Sequence, residues 1–215
     1  MARGDFAWFL GRRYLGLPAR LATHERIYGA ERVPAEGGAV LAINHFHWID
    51  IAVVGVASPR NVDFVAKIEV HRVPGFGAYV RTFGALAVRR GESDRDAVRQ
   101  MLEAARGGDV VGLFVEGTRQ KSGEPGKVQP GAAMVALQAD VPVVPLAIHG
   151  TQHWRLGNWK PVSLAWGRPI RFEGLPKGGR GYREASDRIG QEIRTLWEWL
   201  VEVHARGRPK GLTPP

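Results

Sequence analysis

Ala39-Val40-Leu41-Ala42-Ile43-Asn44-His45-Phe46-His47-Trp48-Ile49-Asp50 is the stretch that decides how this chain folds and where its chemistry lies. Its first five residues are uniformly apolar, the signature of a strand buried on both faces. The polar run that follows places His45 at a strand end, where open α/β folds carry their sites. A histidine that can take a proton stands five residues before a carboxylate that can orient it. Were the run helical, positions five apart would sit about 140° apart around the axis. A strand end, a tight loop and a helix start bring them together more readily. Ile51, Ala52, Val53, Val54 and Val56 then continue as a helix, with Asp50 near its first turn, where unpaired N–H groups favour a carboxylate.

Outward from this stretch the chain alternates strand-like and helix-like segments, without repeats or low-complexity linkers. Strands are expected over 26–33, 39–43, 62–66, 85–88, 110–115, 143–148 and 162–166. Residues 93–106 form a helix from a Ser93 cap to Gly107-Gly108, with Ala97, Val98, Met101, Leu102 and Ala105 on one face. Residues 131–139 are Ala-rich, and 183–204 place Ile189, Ile193, Leu196, Trp197 and Leu200 at helical spacing. The expected architecture is one α/β domain: a mostly parallel or mixed central sheet flanked by helices, with an N-terminal amphipathic helix. Its boundaries are 1–23 for that helix, 24–206 for the domain and 207–215 for a mobile tail rich in Pro, Gly and basic residues.

Composition bounds the partners. The 215 residues include 30 Lys plus Arg against 21 Asp plus Glu, a formal charge of +9 that favours anionic ligands or surfaces. The absence of cysteine excludes a thiol nucleophile and a thiolate metal site. No apolar run approaches the roughly 18–20 residues of a membrane span, and the N-terminus does not read as a signal peptide. Residues 4–21 interleave Phe6, Trp8, Phe9, Leu10, Tyr14, Leu15, Leu17 and Leu21 with Arg12, Arg13 and Arg20. That composition suits either a helix at a membrane interface or one packed on the domain.

Four further segments end apolar stretches in reactive or charged residues. They are Phe64-Val65-Ala66-Lys67, Gly84-Ala85-Leu86-Ala87-Val88-Arg89-Arg90-Gly91, Phe114-Val115-Glu116-Gly117-Thr118-Arg119 and the proline-bracketed Val141-Pro142-Val143-Val144-Pro145-Leu146-Ala147-Ile148-His149. A charge at a strand end is ordinarily a solvated residue. Parallel strands of one sheet end on the same edge, however, so Lys67, Arg90 and Arg119 can converge with His45.

In this order the segments resemble the glycerolipid acyltransferase family over roughly residues 24–170. Asn44-His45-x4-Asp50 matches the first motif, Gly84 to Arg90 the second, Phe114 to Arg119 the third and Val141 to Pro145 the fourth. Arg89 stands where an acidic residue is usual, and Val115 replaces the usual proline. The resemblance implies an O-acyltransferase of phospholipid biosynthesis that moves an acyl group from acyl-CoA or acyl carrier protein to lysophosphatidate. It implies no cofactor, a lipid acceptor and a thioester donor as partners, and a peripheral location on the cytoplasmic face of the membrane.

The chemistry agrees with that resemblance. An alcohol is a weak nucleophile near neutral pH, and a histidine of ordinary pKa, about 6.5, can accept its proton. His45 is then the general base and Asp50 its orienter, with the acceptor's hydroxyl in place of an enzyme serine. Arg90 and Arg119 would fork onto the acceptor phosphate, with Lys67 adding a point charge. The backbone of Glu116-Gly117-Thr118 can serve either the phosphate or the oxyanion, and Glu116 orients an arginine or a hydroxyl. Phe76, Tyr79 and Phe83 are candidates for an acyl pocket, although plain core explains them as well.

Alternatives are a different acceptor, such as another lysophospholipid, glycerol 3-phosphate or a glycolipid; a metal site on His45 and His47 or on His149 and His153; and a non-catalytic basic module for membrane or nucleic acid. Nucleic acid is disfavoured, since the cations are dispersed and no nucleic-acid motif accompanies them.

Overall fold

The computed structural model describes residues 16–67, 86–88 and 94–215. Helix α1 (Gly16–Thr23) leads into strand β1 (Arg26–Tyr28), β2 (Ala39–Ile43), helix α2 (Asp50–Ala57), β3 (Val62–Lys67) and β4 (Leu86–Val88). Then follow α3 (Asp94–Gly107), β5 (Val110–Phe114), α4 (Gly131–Ala139), β6 (Val143–His149), β7 (Ser163–Trp166) and α5 (Gly179–Ala205). The expected strands are all present. The first is shortened, because Gly29 turns the backbone to φ 72° and a 3-10 turn over Ala30–Arg32 follows. Residues 1–15 of the expected N-terminal helix lie outside the described residues, as do Phe76, Tyr79 and Phe83.

The seven strands form one mixed sheet in the order β1-β7-β6-β2-β5-β3-β4. From β6 to β4 the neighbours pair parallel, whereas β7 pairs antiparallel to β6 and carries β1 with it. The carboxyl ends of β2, β3, β4, β5 and β6 therefore share one edge. From β2 the chain crosses to β3 on one side, and from β5 it crosses to β6 on the other. The two connections pack on opposite faces of the sheet, the arrangement in which open α/β sheets bind ligands in a crevice outside the adjoining strand ends.

Alternation along β2 divides the core into two layers. Ala39, Leu41 and Ile43 join Val53, Val54 and Ala57 of α2, while Val40 and Ala42 join α3, α4 and Ile189 and Ile193 of α5. All five β2 residues are buried, as a strand sandwiched between helical layers requires. Each fully buried Leu or Ile contributes about 1.5–3 kcal/mol. Farther along α5, Leu196, Leu200 and Val203 pack on Tyr28, Ala147 and Ala165. The C-terminal tail, expected to be mobile, is hydrogen-bonded to this end of the sheet. Tyr28 Oη donates to the Pro209 carbonyl, and the Arg32 guanidinium donates to those of Pro214 and Pro215.

A histidine pair is packed where α5 crosses the sheet. His149 and His204 rings meet edge-on at 4.4 Å, and His204 Nε2 lies 2.8 Å from Ser163 Oγ. Burial lowers the pKa of His149 to about 4 and that of His204 to about 3, from 6.5. The folded protein thus refuses protons that the unfolded chain accepts below pH 6.5. Stability is fully present above that pH, declines as pH falls below it, and the loss is complete once pH has passed about 4 for His149 and about 3 for His204. Chemical denaturation between pH 7 and pH 4 is expected to show this decline, with a shallower slope in H149Q and H204Q; an unchanged slope in both variants rejects the assignment.

Candidate active site

The loop from β2 to α2 is built around one carboxylate. Asp50 is fully buried, and its Oδ2 accepts three hydrogen bonds: from His45 Nδ1 at 2.8 Å, from Phe46 N–H at 2.7 Å and from His47 N–H at 2.8 Å. Although Asp50 opens α2, it turns back onto the preceding loop instead of capping its own helix. A carboxylate oxygen can only accept, so the proton between the pair sits on Nδ1 and the Nε2 lone pair is left bare. Nε2 bonds to no other described residue, and the His45 side chain keeps 17% of its surface exposed. One face of the imidazole is stacked on Phe114, with ring centres 4.1 Å apart and planes 25° from parallel. Phe114 in turn stacks on Phe64. Phe64 reaches there because Gly112 has no side chain: a Cβ at that position would lie 2.9 Å from the Phe64 ring.

The β5 loop clasps the same histidine through its backbone. Glu116, only 5% exposed, accepts the His45 N–H through Oε2 and the Gly126 N–H through Oε1, both at 2.8 Å. Gln120 N–H donates to the His45 carbonyl at 2.7 Å. Both Glu116 oxygens are thereby engaged by backbone, where an arginine or an acceptor hydroxyl was expected to meet them. Burial raises the Glu116 pKa, while its two backbone donors pull it down. Gly117 turns at φ 72°, a left-handed conformation natural to glycine, closing a turn onto the Phe114 carbonyl. Thr118 and Arg119 follow, exposed.

On the other flank Asn44, fully buried, uses its amide as a piece of strand. Its Nδ2 donates to the Ile148 carbonyl at 3.0 Å, and its Oδ1 accepts the Ile148 N–H at 2.7 Å. The β2–β6 ladder thus continues one step beyond β2. The asparagine was visible in the motif, but the signal for its task is its polarity at the end of an otherwise apolar strand.

His45, Asp50 and Glu116 therefore meet. Burial lowers the His47 pKa; the Asp50 charge opposes this and the Arg119 charge adds to it, which brings Arg119 within the electrostatic reach of the site. Lys67 closes β3 on the same edge. Arg90 lies outside the described residues, two positions beyond Val88 at the end of β4. The histidines weighed as metal ligands have other contacts: the His47 ring sits 5.8 Å from Trp154, and His149 Nδ1 lies 3.2 Å from Gln152 Nε2. Among the described residues no three His, Asp or Glu gather as a metal would need.

Two variants test the flanks. N44A strands a buried N–H and a buried C=O on Ile148, so urea unfolding is expected to show a loss of about 2–5 kcal/mol. A loss near zero rejects the ladder role. E116Q leaves one of two backbone donors facing an NH2 group, and turnover is expected to fall about 10–100-fold through misplacement of His45. Full activity in E116Q removes Glu116 from the positioning of His45.

Residues 24–149 match the family model described as Acyltransferase. The chain is 29% identical over 183 residues to the 1-acyl-sn-glycerol-3-phosphate acyltransferase of Bacillus subtilis, a match covering 83% of this chain and 90% of that one. Against the Pseudomonas aeruginosa protein of the same name it is 27% identical over 190 residues, covering 85% and 70%. The crystal structure of the 1-acyl-sn-glycerophosphate (LPA) acyltransferase PlsC from Thermotoga maritima shares the fold, with a TM-score of 0.67 at 24% identity over 90% of this chain and 80% of that one.

Proposed function

The chain belongs to the acyltransferase family, and from that premise we propose that it transfers a fatty acyl group from an acyl thioester to the free hydroxyl of lysophosphatidate, giving phosphatidate. The observation that carries the reading is the 2.8 Å contact of His45 Nδ1 with a buried Asp50, which leaves Nε2, bonded to no other described residue, as the acceptor on a partly exposed imidazole. His45 Nε2 takes the proton of the acceptor hydroxyl as its oxygen attacks the thioester carbonyl. The tetrahedral oxyanion collapses, the C–S bond breaks, and the imidazolium returns its proton to the departing thiolate. Asp50 holds the imidazole in the required tautomer and stabilises the cation formed midway. No acyl-enzyme is needed, because the thioester is already activated.

Arg119 is the phosphate anchor in this reading, with Arg90 and Lys67 joining it from the neighbouring strand ends. A guanidinium holds phosphate oxygens in a fixed fork, which fixes the distance from the phosphate to the reacting hydroxyl. The donor is acyl-CoA or acyl carrier protein, and no cofactor takes part. No described helix is long and apolar enough to cross a membrane. In this reading the enzyme meets its lipid acceptor from the bilayer surface, docked peripherally on the cytoplasmic face through residues 1–23.

The test is turnover on a panel of lyso-acceptors with mixed acyl-CoAs and acyl carrier proteins, products identified by mass. Phosphatidate from lysophosphatidate is expected; a product only from an acceptor without phosphate overturns the assignment. H45A is expected to lose about 10²–10⁴-fold in kcat. R119A is expected to raise KM for phosphate-bearing acceptors about tenfold with little change in kcat. Unchanged turnover in H45A sinks the mechanism.

A further inference from the structure

Five large apolar side chains stand exposed among the described residues, and four of them lie together beside the active-site mouth: Leu21, Trp48, Leu156 and Trp159, at 62, 49, 88 and 58%. Leu156 and Trp159 belong to the β6–β7 loop, which leaves the carboxyl edge that carries His45. Contacts tie three of the four into one surface, and Leu156 stands on the same loop, two residues from Trp154. Trp154 Nε1 donates to the Ala22 carbonyl at 3.2 Å, next to Leu21, and the Trp159 ring meets His24 edge-on at 6.3 Å. Trp154 also packs against both Trp48 and His47, at 6.2 and 5.8 Å.

The loop is built, not slack. Asn158 Oδ1 accepts the N–H groups of Arg155 and Lys160, its Nδ2 donates to the His153 carbonyl, and its own N–H donates to the Arg155 carbonyl. Trp159 is held at φ 50°, a left-handed conformation costly for a bulky residue. A framework of local bonds thus displays Leu156 and Trp159 to solvent. Arg155 and Lys160 flank them, both exposed, and residues 149–162 contain no Asp or Glu.

We propose that this surface, the 154–160 loop with Trp48 and the end of α1, seats the protein on an anionic lipid bilayer. Leu156 and Trp159 enter the boundary between headgroups and acyl chains, and Arg155 and Lys160 meet the headgroup phosphates. Separate apolar tips set between cations suit the layered chemistry of a membrane interface, where tryptophan also concentrates. A protein partner would call for a continuous apolar face with matched carboxylates. The position beside the mouth rests on the proposed lipid reaction for its meaning: it would bring the crevice against the layer that holds the acceptor.

Co-sedimentation of the full chain with vesicles tests this without any turnover, so a protein inactive on every acceptor still answers it. L156S/W159N, with an asparagine that tolerates the left-handed backbone, is expected to weaken binding to phosphatidylcholine/phosphatidylglycerol vesicles by at least about tenfold. L156S alone, at a side chain exposed almost completely, is expected to weaken it measurably at unchanged thermal stability. R155Q/K160Q is expected to lose binding only to vesicles containing phosphatidylglycerol, with a reduced dependence on salt. Turnover of the double variant on a freely soluble short-chain acceptor should match the parent. The proposal fails if the parent ignores vesicles, if the variants bind as tightly as the parent, or if the substitutions abolish self-association of the chain while leaving vesicle binding intact.

Discussion

One buried carboxylate oxygen holds this structure's chemistry in place. Asp50 Oδ2 gathers the imidazole of His45 and two consecutive backbone N–H groups, so the proton position, the loop path and the start of α2 have a common fixing point. A fully buried charge is costly unless such donors surround it. Because the donors include loop backbone, rotation of the carboxylate away from His45 would also unmake the loop. The histidine is thereby kept in one tautomer by the same bonds that fold its surroundings.

That unit is clamped from both neighbouring strands. Asn44 joins β2 to β6 with a side chain acting as backbone, and Glu116 joins the β2 loop to the β5 loop with both oxygens spent on amides. The stacked rings of Phe64, Phe114 and His45 add a third constraint across β3, β5 and β2. Each clamp spans strands that are neighbours in the sheet but distant in sequence. His45 is thus positioned by the sheet itself, and Thr118 and Arg119 follow on the exposed part of the β5 loop.

What could be read from the sequence follows from the range of each interaction. Strands β2 and β6 were legible because burial on both faces demands unbroken apolar runs, and His45 with Asp50 because their partnership closes over five residues. The end of β1 was missed by five residues, since Gly29 breaks the strand within a run that stays compatible with pairing. The two jobs of Glu116 were hidden because its partners are backbone groups, which carry no residue signature, one of them 71 positions away. The fixing of the tail by Arg32 was hidden for the same reason, with carbonyl partners more than 180 positions distant.

Val115 shows how a departure from a motif can preserve its purpose by other means. A proline here would stiffen the loop by locking φ, but it has no N–H to give. Val115 is buried, and its N–H donates to the Ile43 carbonyl at 2.9 Å while its own carbonyl accepts from Gln129 at 2.7 Å. The valine therefore extends the β2–β5 pairing one step toward the site, and the next residue along that path is the Glu116 that clasps His45. Rigidity that a ring would supply locally is supplied here by the sheet, and the β5 loop is fastened to the strand that carries His45.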